Sequence, residues 1–333
     1  MTGWFLRVLL FSFFCLCNQL IITAIITAML RRKGRGEGER VYSSRSQPSY
    51  SNQAPHVVTR YHDEDFVGEL VLNNPKQSNA MTPQMLRELP VALDRLLGLG
   101  ARAIVVHSIG VSKNFCAGLS IESLAESAST RREDGGCQAR RRWHFREYIT
   151  KLQKAMTLFE ACRVPVIAAV HGACVGAGVD LITACDVRLC TASARFCVKE
   201  VDLGIVADMG TLSRLPGIVG DGIARQLSLT AETIDGTRAK EVCLVSDALP
   251  TDEQLLEAAM AMARGIAAKS PLAVAGTKEV LLYVREHGRV EDGLAYVATL
   301  NAGILPENED VAMVMERVRG GGGRRGGRRF SKL

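Results

Sequence analysis

The sequence has no arrangement of cysteine or histidine suited to a metal ion. Cys185 and Cys190 stand five apart with no histidine pair nearby, so a zinc-type ligand set is not expected. The ten cysteines fall into no short framework, which excludes a disulfide-stapled scaffold and leaves small buried hydrophobes of a reducing compartment. A dinucleotide-binding fingerprint is also missing: Gly176 and Gly178 lack a third glycine, and Leu181 occupies its place. No internal repeat stands out. Acids are absent from residues 317–333, which carry +7; residues 1–50 carry +5 and residues 51–316 carry −6. Cations confined to the ends argue against a nucleic-acid-binding body, because a surface that tracks phosphates needs them on the folded face.

What is present is a chain of 333 residues, 47% hydrophobic and 23% charged, able to bury a sizeable core. Its ends read differently from its middle. Val8 to Leu30 is an uncharged stretch of 23 residues followed by Arg31, Arg32 and Lys33. That pattern suits a transmembrane span or an uncleaved signal anchor, so a membrane contact is one expectation. A cleaved signal peptide would need a shorter apolar run and a small-residue cleavage site. Alternatively Met29 is the start, and Arg31 to Ser51 resembles a mitochondrial presequence, weakened by Glu37 and Glu39. At the other end, Gly320–Gly323 and the Arg/Gly run to Arg329 read as a flexible, solvated spacer before Ser331-Lys332-Leu333. That tripeptide is a receptor-read peroxisomal address, which makes an import receptor the expected partner and the peroxisome the expected location, with the mitochondrion as alternative.

Between the ends, short apolar strands alternate with amphipathic helices. Strands are expected at Phe66–Leu72, Ala103–His107, Val166–Val170, Val187–Cys190 and Phe196–Val198. A helix from Pro83 to Leu97 has Thr82 as N-cap and closes at Gly98; another spans Trp143 to Cys162 after a surface loop at 125–139. Beyond about 208 the chain reads as helical, at 210–219, 221–229, 252–268, 271–287, 290–302 and 307–318. The fold class is α/β with a helical C-terminal region. The organisation expected is a targeting or anchor segment over 1–54, a core over 55–250, C-terminal helices over 251–318, and a tail over 319–333.

Two glycine-centred turns follow buried strands: Phe115-Cys116-Ala117-Gly118, and Gly172-Ala-Cys-Val-Gly176-Ala177-Gly178-Val-Asp180. Such turns expose backbone N–H groups, and two facing one point would grip a carbonyl oxygen. On spacing alone they also suit ordinary strand-to-helix turns. Asp180, Glu200 and Asp208 stand among Val, Ile and Leu, where burial should raise their pKa values toward neutrality and leave one protonated beside an ionised neighbour. Taken singly, each also suits a cap or a salt bridge, Asp180 especially at a helix start. Asp202 reads as structural.

The run Pro165-Val-Ile-Ala-Ala-Val-His-Gly-Ala-Cys-Val-Gly-Ala-Gly-Val-Asp-Leu-Ile-Thr-Ala-Cys-Asp-Val-Arg188 resembles the crotonase (enoyl-CoA hydratase/isomerase) superfamily. The continuation Val198-Lys-Glu-Val-Asp-Leu-Gly-Ile-Val-Ala-Asp-Met-Gly-Thr-Leu-Ser-Arg-Leu-Pro216 looks most like its Δ3,5-Δ2,4-dienoyl-CoA isomerase branch, and the likeness runs from about 57 to 316. It implies a ClpP-like spiral of ββα units with C-terminal helices that assemble a homotrimer or homohexamer. It implies an acyl-CoA substrate, with the thioester oxygen held by the N–H groups of Ala117 and Ala177. Ala117, Gly118, Leu119, Ser120, Ile121 and Ala177 would line the substrate site. Ser120 stands where the family usually has Asp, and Ala177 where it usually has Gly.

The resemblance implies catalytic roles for Asp180, Glu200 and Asp208. The reaction would move a proton from C2 to C6 of a 3,5-dienoyl-CoA, as in β-oxidation of unsaturated fatty acids. Glu200 would act at C2 and Asp208 at C6, with the roles exchangeable, and Ile205, Val206 and Met209 would exclude water. No cofactor is implied beyond the coenzyme A carried by the substrate. A hydratase, a Δ3,Δ2-enoyl isomerase and a non-catalytic RNA-binding relative are the alternatives.

Overall fold

Five-residue runs rich in β-branched residues decide the architecture. In β3 (Ala103–His107) and β4 (Val166–Val170) every residue is buried, as in parallel strands covered on both faces. Alternation along each strand then sorts the side chains into two cores. Ile104, Val106, Val166, Ala168 and Val170 face one, while Ala103, Val105, Ile167 and Ala169 face the other. The computed structural model describes residues 54–120, 123, 137–319 and 330–331, and Ala54–Leu333 form one unit. Val8–Leu30, the 125–136 part of the expected loop, Ile121 and the spacer over 320–329 lie outside the described residues.

These strands belong to a six-stranded sheet in the order β1-β2-β3-β4-β6-β9, with β1 (Val57–His62), β2 (Val67–Leu72), β6 (Val187–Thr191) and β9 (Asp247–Leu249). Only β1 runs antiparallel to its neighbour. A second sheet joins β5 (Ala173–Val175), β7 (Arg195–Cys197) and β8 (Ile234–Asp235). Paired strands on two sheets, each followed by a helix, build the expected spiral.

Helix α1 (Pro83–Leu99) lays Met85, Leu86, Leu89, Leu93 and Leu96 on the first core. Thr82 caps it by accepting from Met85 N at 3.1 Å. It runs past Gly98 and ends at Gly100, whose φ of +92° suits glycine. Helix α2 (Gln138–Ala161) begins earlier than periodicity suggests, and only Ala155, Met156 and Phe159 are buried; Trp143 is exposed. After it come α3 (Ala177–Thr183), α4 (Thr211–Val219), α5 (Asp221–Thr230), α6 (Gly236–Glu241), α7 (Asp252–Ala267), α8 (Pro271–His287), α9 (Val290–Ile304) and α10 (Glu309–Arg319). The short β5, β8, β9 and α6 carry too few residues for a periodic signal. Helix α7 covers the second core through Leu255, Ala259, Met260 and Ala263. Lys278 of α8 is buried and pairs with Asp186 at 2.7 Å.

Away from the glycine turns, Glu69 of β2 is buried between His107 Nε2 at 2.8 Å and His62 Nε2 at 2.5 Å. Ile109 N donates to His107 Nδ1, so Nε2 of that ring carries the proton facing Glu69. The His107 hydrogen bond, aided by His62 and opposed by burial, holds the Glu69 carboxyl at about 2.

Of the tail expected to be free and solvated, Phe330 and Ser331 are among the described residues, and Phe330 departs from that expectation. Phe330 is buried, and Arg102 donates to the carbonyls of Phe330 and Ser331 while its guanidinium lies 4.1 Å from the Phe66 ring centroid. Phe330 thus packs on the body, where Arg102 reaches its carbonyl. Ser331 is exposed.

No described helix is long and apolar enough to cross a membrane, and no three His, Cys, Asp or Glu among the described residues cluster to hold a metal ion.

Candidate active site

The two glycine turns converge. Cys116 pairs with Cys174 alongside β5, and Val175 N donates to Cys116 O at 2.9 Å. This sets Gly118 against Val175 and Gly176. A methyl group built on Gly176 would stand 3.2 Å from Glu200 Oε1 and 3.9 Å from Gly118 Cα. The φ of +50° at Gly176 and +98° at Gly118 places both in the region that favours glycine. Gly178 is needed for space: its added Cβ would lie 2.9 Å from Cys116 Cβ. Cys116 itself is no nucleophile, since burial pushes its thiol up to about 12.

Three asparagines hold the first turn. Asn79 Oδ1 accepts from Asn74 N at 2.7 Å and its Nδ2 donates to Asn114 O at 3.1 Å; Asn114 Oδ1 accepts from Ala173 N at 3.0 Å. The structure also corrects which amide can bind an oxyanion here. Ala117 N donates to Ser78 O at 3.1 Å, so the donor expected at Ala117 is engaged, and the residue faces solvent. Two residues on, Gly118 O and Ser120 N bond Met81 across a parallel bridge, which turns Leu119 N–H the other way. Neither Leu119 N nor Ala177 N has a partner among the described residues. Ser120 is buried, and its hydroxyl donates to Ser123 Oγ at 3.1 Å and accepts from Ser123 N at 3.0 Å.

Asp180 is not a cap. It lies in the fourth position of α3, 1% exposed, and its Oδ1 accepts from both Thr211 N and Thr211 Oγ1 at 2.7 Å. Burial raises its pKa, the Thr211 bonds oppose that rise, and the charge of Asp208 adds to it. Glu200 opens the 3-10 turn Glu200–Leu203 and is buried; its Oε2 has no hydrogen-bond partner among the described residues. Burial first, then the charges of Asp180 and Asp208, push its carboxyl up to about 7. Asp208 is raised by the protein packed around it, and Gln153 Nε2 donates to its carbonyl at 2.8 Å.

The three acids therefore lie within electrostatic reach of one another, but not all in an apolar enclosure. Asp208 is exposed, as are Ile205 and Val206, because the segment after the 3-10 turn runs over the surface; only Met209 of the expected apolar flank is buried. Asp208 lines a cavity of about 480 Å³ with Gly210, Arg214 and Arg285. Arg214 and Arg285 both pair with Glu160, at 3.0 and 2.6 Å. Asp202 pairs with Lys199 on the surface, in keeping with a structural role. Sequence reasoning missed Thr211 and the Arg214–Glu160–Arg285 trio. Thr211, directly after Gly210 at the start of α4, carries a signal as a helix-start hydroxyl, but nothing in spacing shows that it serves an acid 31 positions earlier.

Residues 63–291 match the family described as enoyl-CoA hydratase/isomerase. A protein of Arabidopsis thaliana named Delta(3,5)-Delta(2,4)-dienoyl-CoA isomerase, peroxisomal, is 46% identical over 248 residues, covering 74% of this chain and 88% of its own. The human protein named Delta(3,5)-Delta(2,4)-dienoyl-CoA isomerase, mitochondrial, is 41% identical over 269 residues, covering 80% of each. Among solved structures, an enoyl-CoA hydratase of Bacillus anthracis is 26% identical with a TM-score of 0.69, covering 80% of this chain and 96% of its own. Matched over most of its described body, the chain belongs to the enoyl-CoA hydratase/isomerase, or crotonase, family.

Proposed function

We propose that this chain is an isomerase that converts 3,5-dienoyl-CoA to 2,4-dienoyl-CoA. One observation carries the reading: Glu200, buried with an unpartnered carboxyl oxygen, lies at the convergence of Gly118 and Gly176 within electrostatic reach of Asp180 and Asp208. Relatives named for this reaction, at 41% and 46% identity, support it.

The chemistry follows from the substrate. The C2 proton of a 3,5-dienoyl thioester is acidified by the carbonyl and by the diene. Donors at the carbonyl oxygen stabilise the dienolate formed when it leaves, by about 3–4 kcal/mol for one well-placed N–H. Ala177 N–H supplies one donor and Leu119 N–H the other, in place of Ala117. Glu200, near 7, is substantially ionised at neutral pH and takes the C2 proton. The electron pair shifts the double bonds to C2=C3 and C4=C5, and Asp208 delivers a proton to C6. Asp180, fixed by Thr211, stands where its charge helps to raise the Glu200 carboxyl. The two end roles exchange without altering the balance, since coupled acids titrate as a set. No cofactor enters beyond the coenzyme A of the substrate.

Asp208→Asn should abolish the rise in ultraviolet absorbance that accompanies dienoyl isomerisation while leaving acyl-CoA binding intact. Unchanged turnover in that variant would refute the assignment. Hydration of 2-enoyl-CoA by the wild type, with no dienoyl isomerisation, would make the chain a hydratase.

Assembly as a trimer or hexamer is supported by exposed apolar residues on α8 to α10, among them Leu281, Val290, Leu294 and Val318. A peroxisomal or mitochondrial location fits the names of the relatives. The Ser331-Lys332-Leu333 tripeptide favours the peroxisome through its import receptor, which an import assay with and without the tripeptide tests.

A further inference from the structure

Under the isomerase reading, Asp208 must present its carboxyl to one end of a rigid diene from a segment that runs over the surface. Asp208, Ile205 and Val206 are all exposed. Only two torsions separate an aspartate carboxyl from the main chain, so the path of the backbone decides where it stands. A displacement of about 1 Å at a reacting group is enough to cost roughly a hundredfold in rate. Ala207 and Met209 are buried on either side, but apolar contact is non-directional and sets no orientation for the peptide between them.

Two side chains supply the direction. Gln153 of α2 donates from Nε2 to Asp208 O at 2.8 Å. Arg214, in the first turn of α4, lays its guanidinium against the next two residues. Its Nη1 faces Met209 O at 3.5 Å, and a Cβ built on Gly210 would overlap that nitrogen. The φ of +129° at Gly210 also favours glycine, so the turn is shaped to admit the guanidinium. The same group is tied to α2: Nε and Nη2 donate to Glu160 Oε2 at 3.1 and 3.0 Å, and Nη2 donates to Thr157 Oγ1 at 3.0 Å. Gln153, Thr157 and Glu160 follow at spacings of four and three, which puts them on one face of that helix. Thr211, one residue beyond the turn, is bonded to Asp180.

We propose that Gln153 and Arg214 are positioning residues: they bind the main chain over Asp208–Gly210 to α2 and thereby hold the Asp208 carboxyl at the far end of the diene. The inference rests on the isomerase reading, in which Glu200 takes the C2 proton and Asp208 protonates C6. Neither side chain has to touch the substrate.

The test is Gln153→Met in the full chain, which keeps the length of an exposed side chain and removes its donor. Arg214→Lys is the second variant; it keeps a cation for Glu160 and loses the fork. Lys154→Met, exposed on the same helix, is the control. Turnover of 3,5-octadienoyl-CoA, exchange of its C2 proton in deuterium oxide and binding of octanoyl-CoA are compared. Deuterium uptake by the backbone amides of residues 205–212 is followed alongside. For both variants kcat should fall about ten- to a hundredfold, with C2 exchange and octanoyl-CoA affinity within about twofold of the wild type. Amide exchange over 205–212 should quicken at least about fivefold, and the control should match the wild type throughout. Loss of C2 exchange in step with kcat would mean general damage to the site and overturns the proposal. So does an unchanged kcat in Gln153→Met, or unaltered amide exchange. A wild type that isomerises no dienoyl compound counts against the isomerase reading alone, because amide exchange still reports whether the two side chains hold the segment.

Discussion

Replacing Glu200 with glutamine should stabilise the protein above neutral pH while disabling it. The carboxyl titrates near 4.5 in an unfolded chain and at about 7 in the folded one, chiefly because burial strips water from it. Between those values the folded chain keeps a proton that the unfolded chain has released. Stability must then fall as pH rises, by about 1.4 kcal/mol per pH unit. Across the interval the loss comes to about 3 kcal/mol; it is absent below pH 4.5 and complete above pH 7. Glutamine has the same shape and no proton to lose. In urea denaturation at pH 8, Glu200→Gln should therefore exceed the wild type by up to about 3 kcal/mol, and the gap should close at pH 4.5. Turnover of the dienoyl substrate should drop by roughly two to four powers of ten. A gap that does not vary with pH, or a wild type more stable at pH 8, would refute the claim that the acid is held in a desolvated position.

Thr211→Val removes one of the two donors to Asp180 and should cost about 1–2 kcal/mol in denaturation experiments. It should also move the acidic limb of the pH–rate profile upward, because a bond that lowers the Asp180 pKa is lost. Gly176→Ala forces a left-handed backbone costing about 1–3 kcal/mol and presses a methyl on Glu200 Oε1, so kcat should fall at least tenfold; a normal kcat would contradict the convergence of the turns. Glu69, held at about 2 against 4.5 unfolded, contributes stability above pH 4.5 that is lost as pH falls toward 2. Glu69→Gln should accordingly cost up to about 3 kcal/mol at pH 7, measured by urea titration, and much less at pH 3.

The strands that carry the fold were legible because burial on both faces leaves nothing but apolar residues in β3 and β4. The two- and three-residue strands β5, β8 and β9 are defined by pairing partners, which local periodicity does not contain. Asp180, Glu200 and Asp208 stood out as acids in apolar company, and the charges of Asp180 and Asp208 both act on Glu200. Their surroundings were less legible: Asp208 faces solvent because the loop before it runs over the surface, a matter of tertiary course. The choice between the Ala117 and Leu119 amides was beyond the reach of spacing. It depends on Ser78, nearly forty residues upstream, taking up the first of them. Phe330 looked like part of a solvated tail, since its partner Arg102 is distant in the chain.

Because the atoms that would meet the thioester oxygen belong to the main chain, side-chain identity at residues 117 and 119 can drift without removing them. Their aim is set instead by Asn74, Asn79 and Asn114, which are linked through hydrogen bonds to the backbone. Relatives that differ at 117 or 119 but keep this trio should retain the reaction, whereas a change at Asn79 would slacken the grip from a distance. Divergence in this loop is thus a poor gauge of lost activity, and loss of the asparagines a better one.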